Sequence, residues 1–396
     1  MLSESEFYSY LFSTTEYKDK IHTTILYGTV ADLATKFAGT DDKIVVFCVE
    51  NDFVYAKKAE KELKTALKNV SLRMASERDL NAEAVRALTG DASVIVAVGE
   101  EPTISACKGA AFLTGAKLVA IYTSCKMTFA LSPDVALKQC GKQVSASRYT
   151  DFLIVAPEYY SSQKKQYLVE TLGETAAALA DIIDYKVAVF KSATSYDKNA
   201  VTNLLEAINF ALSPKKFTDA HTALALAAIK IAIASEYSDA LKFSAVEKIA
   251  SFLRGDALHG EKKYRAFLMV IQIYRIYLTE FSPALKTPPD AVRAAKQISD
   301  YYRLKEYDIW SEFSSLSDSF CKQSKTTLFS ALNKDVSAIL SKIGYIESLY
   351  SYLYNGKHKL SAFSPEEMRM ALKRAAYSSE NNLLALAKAN GFANFI

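Results

Sequence analysis

This chain lacks most of the features that would settle its class at once. It has no CxxC pair: Cys48, Cys107, Cys125, Cys140 and Cys321 are scattered. An odd, unpaired set fits reduced thiols, used as small apolar side chains, better than a disulfide framework. It also lacks an apolar run long enough to span a bilayer. The most apolar stretch, Thr222–Ala234, is interrupted by Lys230 and closed by Glu236, so a buried helix is expected and no membrane partner. The start MLSESEFYSYLF has no basic segment leading into an apolar run, so no export is expected and the location expected is cytoplasmic. Neither sign of charge dominates, with 48 Lys plus Arg against 44 Asp plus Glu and a net charge of +4. That balance gives no footprint for nucleic acid. Lys57, Lys58, Lys61, Lys64 and Lys68 recur at helical spacing and read as a solvated helix face. Internal repeats and low-complexity tracts are absent.

What is present is enough apolar material for a large core: 50% of 396 residues are hydrophobic, and the length suggests two domains. From Ile44 to Val155, short β-branched runs (KIVVFCVE, SLRMA, SVIVAVG, KLVAIYT, DFLIVAP) alternate with amphipathic helical patterns. The alternation predicts a parallel sheet covered by helices. Beyond Ser161 strand signals nearly vanish. Helical patterns follow over 163–190, 198–211, 219–236, 245–253, 262–281 and 289–303, with proline breaks at Ser213-Pro214, Ser282-Pro283 and Pro288-Pro289. The expected class is α/β plus all-α: a Rossmann-like domain over 1–160 and an all-helical domain over 161–396.

The most informative segment is VIVAVGEEPTISACKGAAFLTGAKLVAIYTS, Val94–Ser124, which reads as strand, tight turn, helix and strand. In such a βαβ unit the turn feeds a helix N-terminus whose unpaired N–H groups and dipole attract phosphate. Here the turn carries Glu100 and Glu101, which repel it. Acidic residues and Pro102 at a helix start also suit the dipole and the backbone, so a cap kept for stability is the plainer account.

Five segments, in order, are similar to motifs of one family. LGETAAALADIIDYKVA, Leu172–Ala188, resembles the segment of the dehydroquinate synthase-like superfamily in which Gly-x-Gly-Asp opens a helix ending Leu-x-Asp-Trp-Lys. The resemblance is strongest to its glycerol-1-phosphate dehydrogenase and iron-containing alcohol dehydrogenase branches. HGEKKYRAFLMV at His259 is similar to the family's His-Gly-Glu helix start, and VGEEPTISACK at Val98 to its Val-Gly-Gly-Gly-Ser-x-x-Asp-x-Ala-Lys. YTSCKMTFALSP matches the position of its Pro-Thr-x-x-Ser-x-Asp-Gly loop, and RAAYSSENNLLALAKANGF resembles its closing helical motif.

The resemblance implies NAD(P) on the first domain, Zn²⁺ or Fe²⁺ held by an Asp and two His on the second, and reduction of a small ketone or its reverse. Carried over residue by residue, the cofactor positions are Gly99, Glu100, Glu101, Thr123 and Ser124. The metal positions are Glu174, in place of Asp, and His259. The second metal histidine falls on SAVEKIASF, where Lys248 and Phe252 stand, and no histidine occurs between His221 and His259. Lys108 keeps the family's lysine, while Ser105 replaces an aspartate and Thr128-Phe129 replace the Asp-Gly of the substrate loop. Glu50, Asn51 and Asp52 follow the first strand of the alternating run, where a carboxylate could meet a ribose; acidic residues after a strand are also ordinary turn formers.

Three readings remain open at this point. One is an active, divergent reductase of a small, often phosphorylated ketone, with Lys108, Glu174 and His259 at work. The second is a non-catalytic relative that keeps the fold as a binding or assembly module. The third is altered chemistry through Lys248 and Glu247, where an ammonium stands in for a metal. The tyrosine cluster IESLYSYLYNG (Tyr350, Tyr352, Tyr354) reads as helix packing rather than a binding surface. The expected partners are a small-molecule substrate and, by resemblance, a second copy in a homodimer.

Overall fold

The computed structural model describes residues 3–12, 18–37, 40–139, 142–161, 165–192, 196–212, 220–255, 257–280, 325–354, 363–376 and 382–389. The helix expected over 289–303, the three proline breaks, Cys140 and Cys321 lie outside the described residues. By contact density the chain forms two compact units: 1–171 with 214–237, and 172–213 with 238–396.

The first unit is built on a six-stranded parallel sheet. In chain order its strands are β1 (Thr24–Tyr27), β2 (Ile44–Val49), β3 (Val70–Ala75), β4 (Val94–Gly99), β5 (Lys117–Tyr122) and, after a separate hairpin of β6 (Asp134–Gln139) and β7 (Lys142–Ser147), β8 (Phe152–Val155). Their order across the sheet is β1-β8-β5-β4-β2-β3. The five runs read from sequence are β2, β3, β4, β5 and β8. Every residue of β2 and β4 is buried, as expected of central parallel strands covered on both faces. Helices α1 (Glu4–Leu11), α2 (Val30–Phe37), α3 (Phe53–Lys64), α4 (Ala82–Thr89), α5 (Glu101–Thr114) and α6 (Pro157–Tyr160) complete this part of the chain. Apolar residues of α2 and α3, among them Leu33, Phe37 and Leu63, pack on Val46, Val96, Val119 and Ile154 of the sheet.

Next come α7 (Lys165–Ser192), α8 (Lys198–Leu212) and α9 (Ala220–Tyr237). The division between units falls inside α7, and α9 belongs with the sheet although its neighbours in sequence do not. Every residue of α9 from Ala223 to Ala234 is buried, which follows from a helix that is apolar on all sides. Its polar C-terminal end docks on the sheet unit: Tyr237 Oη accepts from His22 N at 3.3 Å, and Glu236 Oε1 accepts from Tyr149 Oη at 3.0 Å.

Among its described residues the second unit has helices and no strand: α8, α10 (Ala245–Phe252), α11 (His259–Glu280) and the helices Lys325–Tyr354, Pro365–Ala376 and Leu383–Ala389 join the later part of α7. Asp184, fully buried on α7, ties them together. Its Oδ2 accepts from Ala245 N at 2.9 Å, and its Oδ1 from Leu383 N at 2.9 Å and Tyr274 Oη at 2.6 Å. One carboxylate thus satisfies donors at the starts of two helices, the groups that a helix cannot satisfy itself. Tyr350 is buried and stacks on Tyr264 with ring centroids 4.8 Å apart. Tyr352 is 44% exposed, so packing accounts for only part of that cluster.

The described cysteines, Cys48, Cys107 and Cys125, are buried thiols in no disulfide among the described residues. Burial pushes the Cys48 thiol up to about 12, far from the thiolate that reactivity requires. Among the described residues no helix is long and apolar enough to cross a membrane.

Candidate functional site

The carried-over residues fall into two places, one in each unit. In the first, β4 lies beside β2 but on the side opposite β3, so the strand order reverses between β2 and β4. Parallel sheets open a crevice at the carboxyl ends of the strands at such a reversal. A cavity of about 570 Å³ is found there, lined by Asn51, Asp52 and Tyr55 after β2, Glu77 after β3, Glu100 and Thr103 after β4, and Thr123 after β5. Its volume is that of a small-molecule pocket.

The turn from β4 into α5 borders it through Glu100, Pro102 and Thr103. Gly99 has φ +154°, and a Cβ there would lie 2.9 Å from both Asp52 Oδ2 and Thr103 Oγ1. Glycine is therefore required, but the room it leaves is taken by those two side chains. Glu100 folds over the ends of β4 and β5, accepting from Ser124 Oγ at 2.6 Å and Thr123 Oγ1 at 3.2 Å. Thr123 Oγ1 also lies 2.8 Å from Asp52 Oδ1. A hydroxyl has one proton to give, so two ionised carboxylates compete for it. Burial, with Asp52 adding to it, pushes the Glu100 carboxyl up to about 7. Glu101 points elsewhere: its Oε2 accepts from Tyr122 Oη at 2.8 Å. The two acidic residues of the turn therefore do different work, and Glu100 is the one that lines the cavity.

A dinucleotide diphosphate needs bare backbone N–H groups at this turn and open space over the glycine. The turn has Pro102, which has no N–H, the Glu100 carboxyl, and a glycine covered by Asp52 and Thr103. These residues do not fit the group. Lys108, carried over as a catalytic candidate, is 1% exposed on α5 and donates from Nζ to the Ser132 carbonyl at 2.7 Å. Burial lowers its pKa. Phe129, which stands in the place of the substrate loop's glycine, is 51% exposed.

The second place is where α7, α10 and α11 meet. Gly173 allows the approach: a Cβ there would sit 1.8 Å from the Gly260 carbonyl oxygen. That contact sets Glu174 against the first turns of α11. Lys263 Nζ lies 2.7 Å from Glu174 Oε2 and 2.7 Å from Glu247 Oε2. His259 Nε2 lies 3.0 Å from Glu247 Oε1. Burial alone would lower the Lys263 pKa, but the two carboxylates outweigh it and raise it above the usual lysine range.

Of the residues carried over, Glu174 and His259 are thus brought to one cluster through Lys263 and Glu247, while Lys248 is half-buried on α10. Lys263 was not singled out from sequence. The signal was there in its spacing, four residues after His259 and on the same helix face. Among the described residues no group of three or more His, Cys, Asp or Glu is placed to hold a metal ion. With an ammonium between its carboxylates, the cluster does not fit a divalent cation.

No protein-family model and no curated protein sequence matches this chain. Solved structures do. An iron-containing alcohol dehydrogenase from Thermococcus thioreducens superposes with a TM-score of 0.52 at 13% identity, over 95% of this chain and 98% of that one. A glycerol dehydrogenase from Schizosaccharomyces pombe gives 0.50 at 13% identity, over 87% and 94%. An NADH-dependent butanol dehydrogenase A from Thermotoga maritima gives 0.50 at 12% identity, over 93% and 90%. At such identities the likeness is one of fold. By its parallel-sheet unit, its helical unit and these neighbours, the chain has the two-part fold of the glycerol and iron-containing alcohol dehydrogenases.

Proposed function

We propose that this protein is a divergent relative of those dehydrogenases in which metal- and nicotinamide-dependent hydride transfer has been lost, and that it works as a non-catalytic binding module. The observation that carries the reading is the closed turn at Gly99, where Asp52 and Thr103 occupy the approach and the Glu100 carboxyl faces the cavity. A diphosphate brought there would meet like charge in a half-buried setting, where screening is weak. The cavity itself persists, so a small polar ligand without a phosphate is the occupant its lining favours. Self-association as a homodimer and a cytoplasmic location complete the reading, and light scattering after gel filtration checks the first.

The competing reading, an active reductase of a small ketone, needs Lys108 at the reacting centre. Its ammonium is instead engaged by the Ser132 carbonyl. Calorimetric titration with NADH and NADPH, with and without Zn²⁺, separates the two. No heat of binding is expected for either nucleotide. A micromolar dissociation constant for either would restore the dehydrogenase.

A further inference from the structure

Three helices contribute to the cluster around Lys263, and each brings a group with metal-ligand chemistry: Glu174 from α7, Glu247 from α10 and His259 from α11. The oxygens Glu174 Oε2 and Glu247 Oε2 converge on one point, each 2.7 Å from it, and Lys263 Nζ is at that point. Carboxylate oxygens close on Zn²⁺ at about 2.0–2.2 Å and on Ca²⁺ at about 2.3–2.6 Å. A small inward shift would therefore bring both oxygens to metal-bonding distance. His259 Nε2, hydrogen-bonded to the other oxygen of Glu247, stands beside the same carboxylate.

A second observation shows that the ammonium serves this place incompletely. Glu174 is 5% exposed, and its other oxygen, Oε1, is buried with no hydrogen-bond partner among the described residues. A buried carboxylate oxygen is rarely left so, because an unmet acceptor keeps its full desolvation cost. A cation with several open coordination positions could engage such a carboxylate through both oxygens, and a lysine with one nitrogen reaches only Oε2.

We infer that Lys263 is a built-in cation that takes the place of a divalent metal ion between Glu174 and Glu247, and that the cluster without it is a latent divalent-cation site made of Glu174, Glu247 and His259. The cluster lies in the second unit and shares no residue with the crevice of the sheet unit. Its test is therefore independent of nucleotide binding.

The experiment compares the full-length wild type with Lys263→Ala, each purified without chelator and titrated with Zn²⁺ and with Co²⁺. Wild type is expected to carry no stoichiometric metal and to give no binding isotherm. Lys263→Ala is expected to bind one Zn²⁺ per chain at least about tenfold more tightly than wild type. It should also show the visible absorption of low-symmetry Co²⁺, and both signals should vanish when His259→Ala is added. If Lys263→Ala does not fold in metal-free buffer, Zn²⁺ is expected to restore its unfolding transition, because a ligand bound only by the folded state stabilises it. Stoichiometric metal in the wild type would overturn the inference. So would a folded Lys263→Ala that binds no better than wild type, or an unfolded one that no divalent cation rescues.

Discussion

Glu100 is held between Ser124 and Thr123 with Asp52 at the far side of the same hydroxyl, and its pH response follows from that setting. Its carboxyl is pushed up to about 7 by burial, against 4.5 for a free glutamate. The folded state therefore holds this proton more tightly than the unfolded state. The stability it contributes is fully present below about pH 4.5 and is lost as pH rises through about 7. Glu100→Gln keeps the shape and removes the charge. It is expected to match wild type near pH 4 and to exceed it near pH 8, by at most about 3 kcal/mol. Urea denaturation at the two pH values checks this, and a variant equally stable or weaker at both would show that the carboxyl is solvated. At Gly99, on the same turn, an added Cβ would strike Asp52 and Thr103 and would require a backbone angle that side chains avoid. Gly99→Ala is expected to cost about 1–3 kcal/mol in the same assay. The glycine was legible in the sequence as a turn after a strand. That its open side is filled by Asp52 was not, because Asp52 lies on a different turn and only the sheet order brings them together.

The elements most legible in the sequence are those buried on both sides. β2, β4 and β5 read as unbroken apolar runs because helices cover both faces of the sheet. β1 and the β6–β7 hairpin carried no comparable signal: TILY is a four-residue edge strand, and the hairpin is written with VALKQ and KQVSAS, whose polar content resembles a loop. The helices of the second unit followed their apolar periodicity, with α11 beginning at His259, three residues before the pattern suggested. Lys263 escaped notice for a related reason: in GEKKY it looks like one of many solvent-facing lysines, and only the close approach of α7 buries it. That approach depends on Gly173. Gly173→Ala would place a methyl group inside the Gly260 carbonyl, which is backbone and cannot rotate away. α7 and α11 would have to separate, and the Lys263–Glu174 pair would open with them. The expected loss exceeds about 3 kcal/mol, above the usual cost of overpacking a core because the obstacle is main chain. Thermal unfolding of the variant measures it; a loss under about 1 kcal/mol would mean that the helices slide past each other freely.

The path of the chain through its two units has a consequence for how the molecule can be divided. The change of sequence character near residue 160 invites a cut there, yet α9, sixty residues further on, is part of the sheet unit. Its large aliphatic residues Leu224, Leu226, Ile229, Ile231 and Ile233 are all buried. Each fully buried side chain of this size contributes on the order of 2 kcal/mol. Together they come to about 10 kcal/mol, within the ~5–15 kcal/mol that separates folded from unfolded protein. A fragment of residues 1–171 lacks that helix and the contacts of its C-terminal end with His22 and Tyr149, although every strand of the sheet is present. It is expected to aggregate, or to remain without a cooperative urea transition. Joining residues 214–237 to it through a flexible Gly/Ser linker is expected to restore the near-ultraviolet circular dichroism of packed aromatics and a single unfolding transition. A fragment of 1–171 that folds cooperatively alone would show that α9 merely rests on a finished domain. In the expected case α9 completes the covering of the sheet unit, and the unit is assembled only after the chain has passed through α8 and returned.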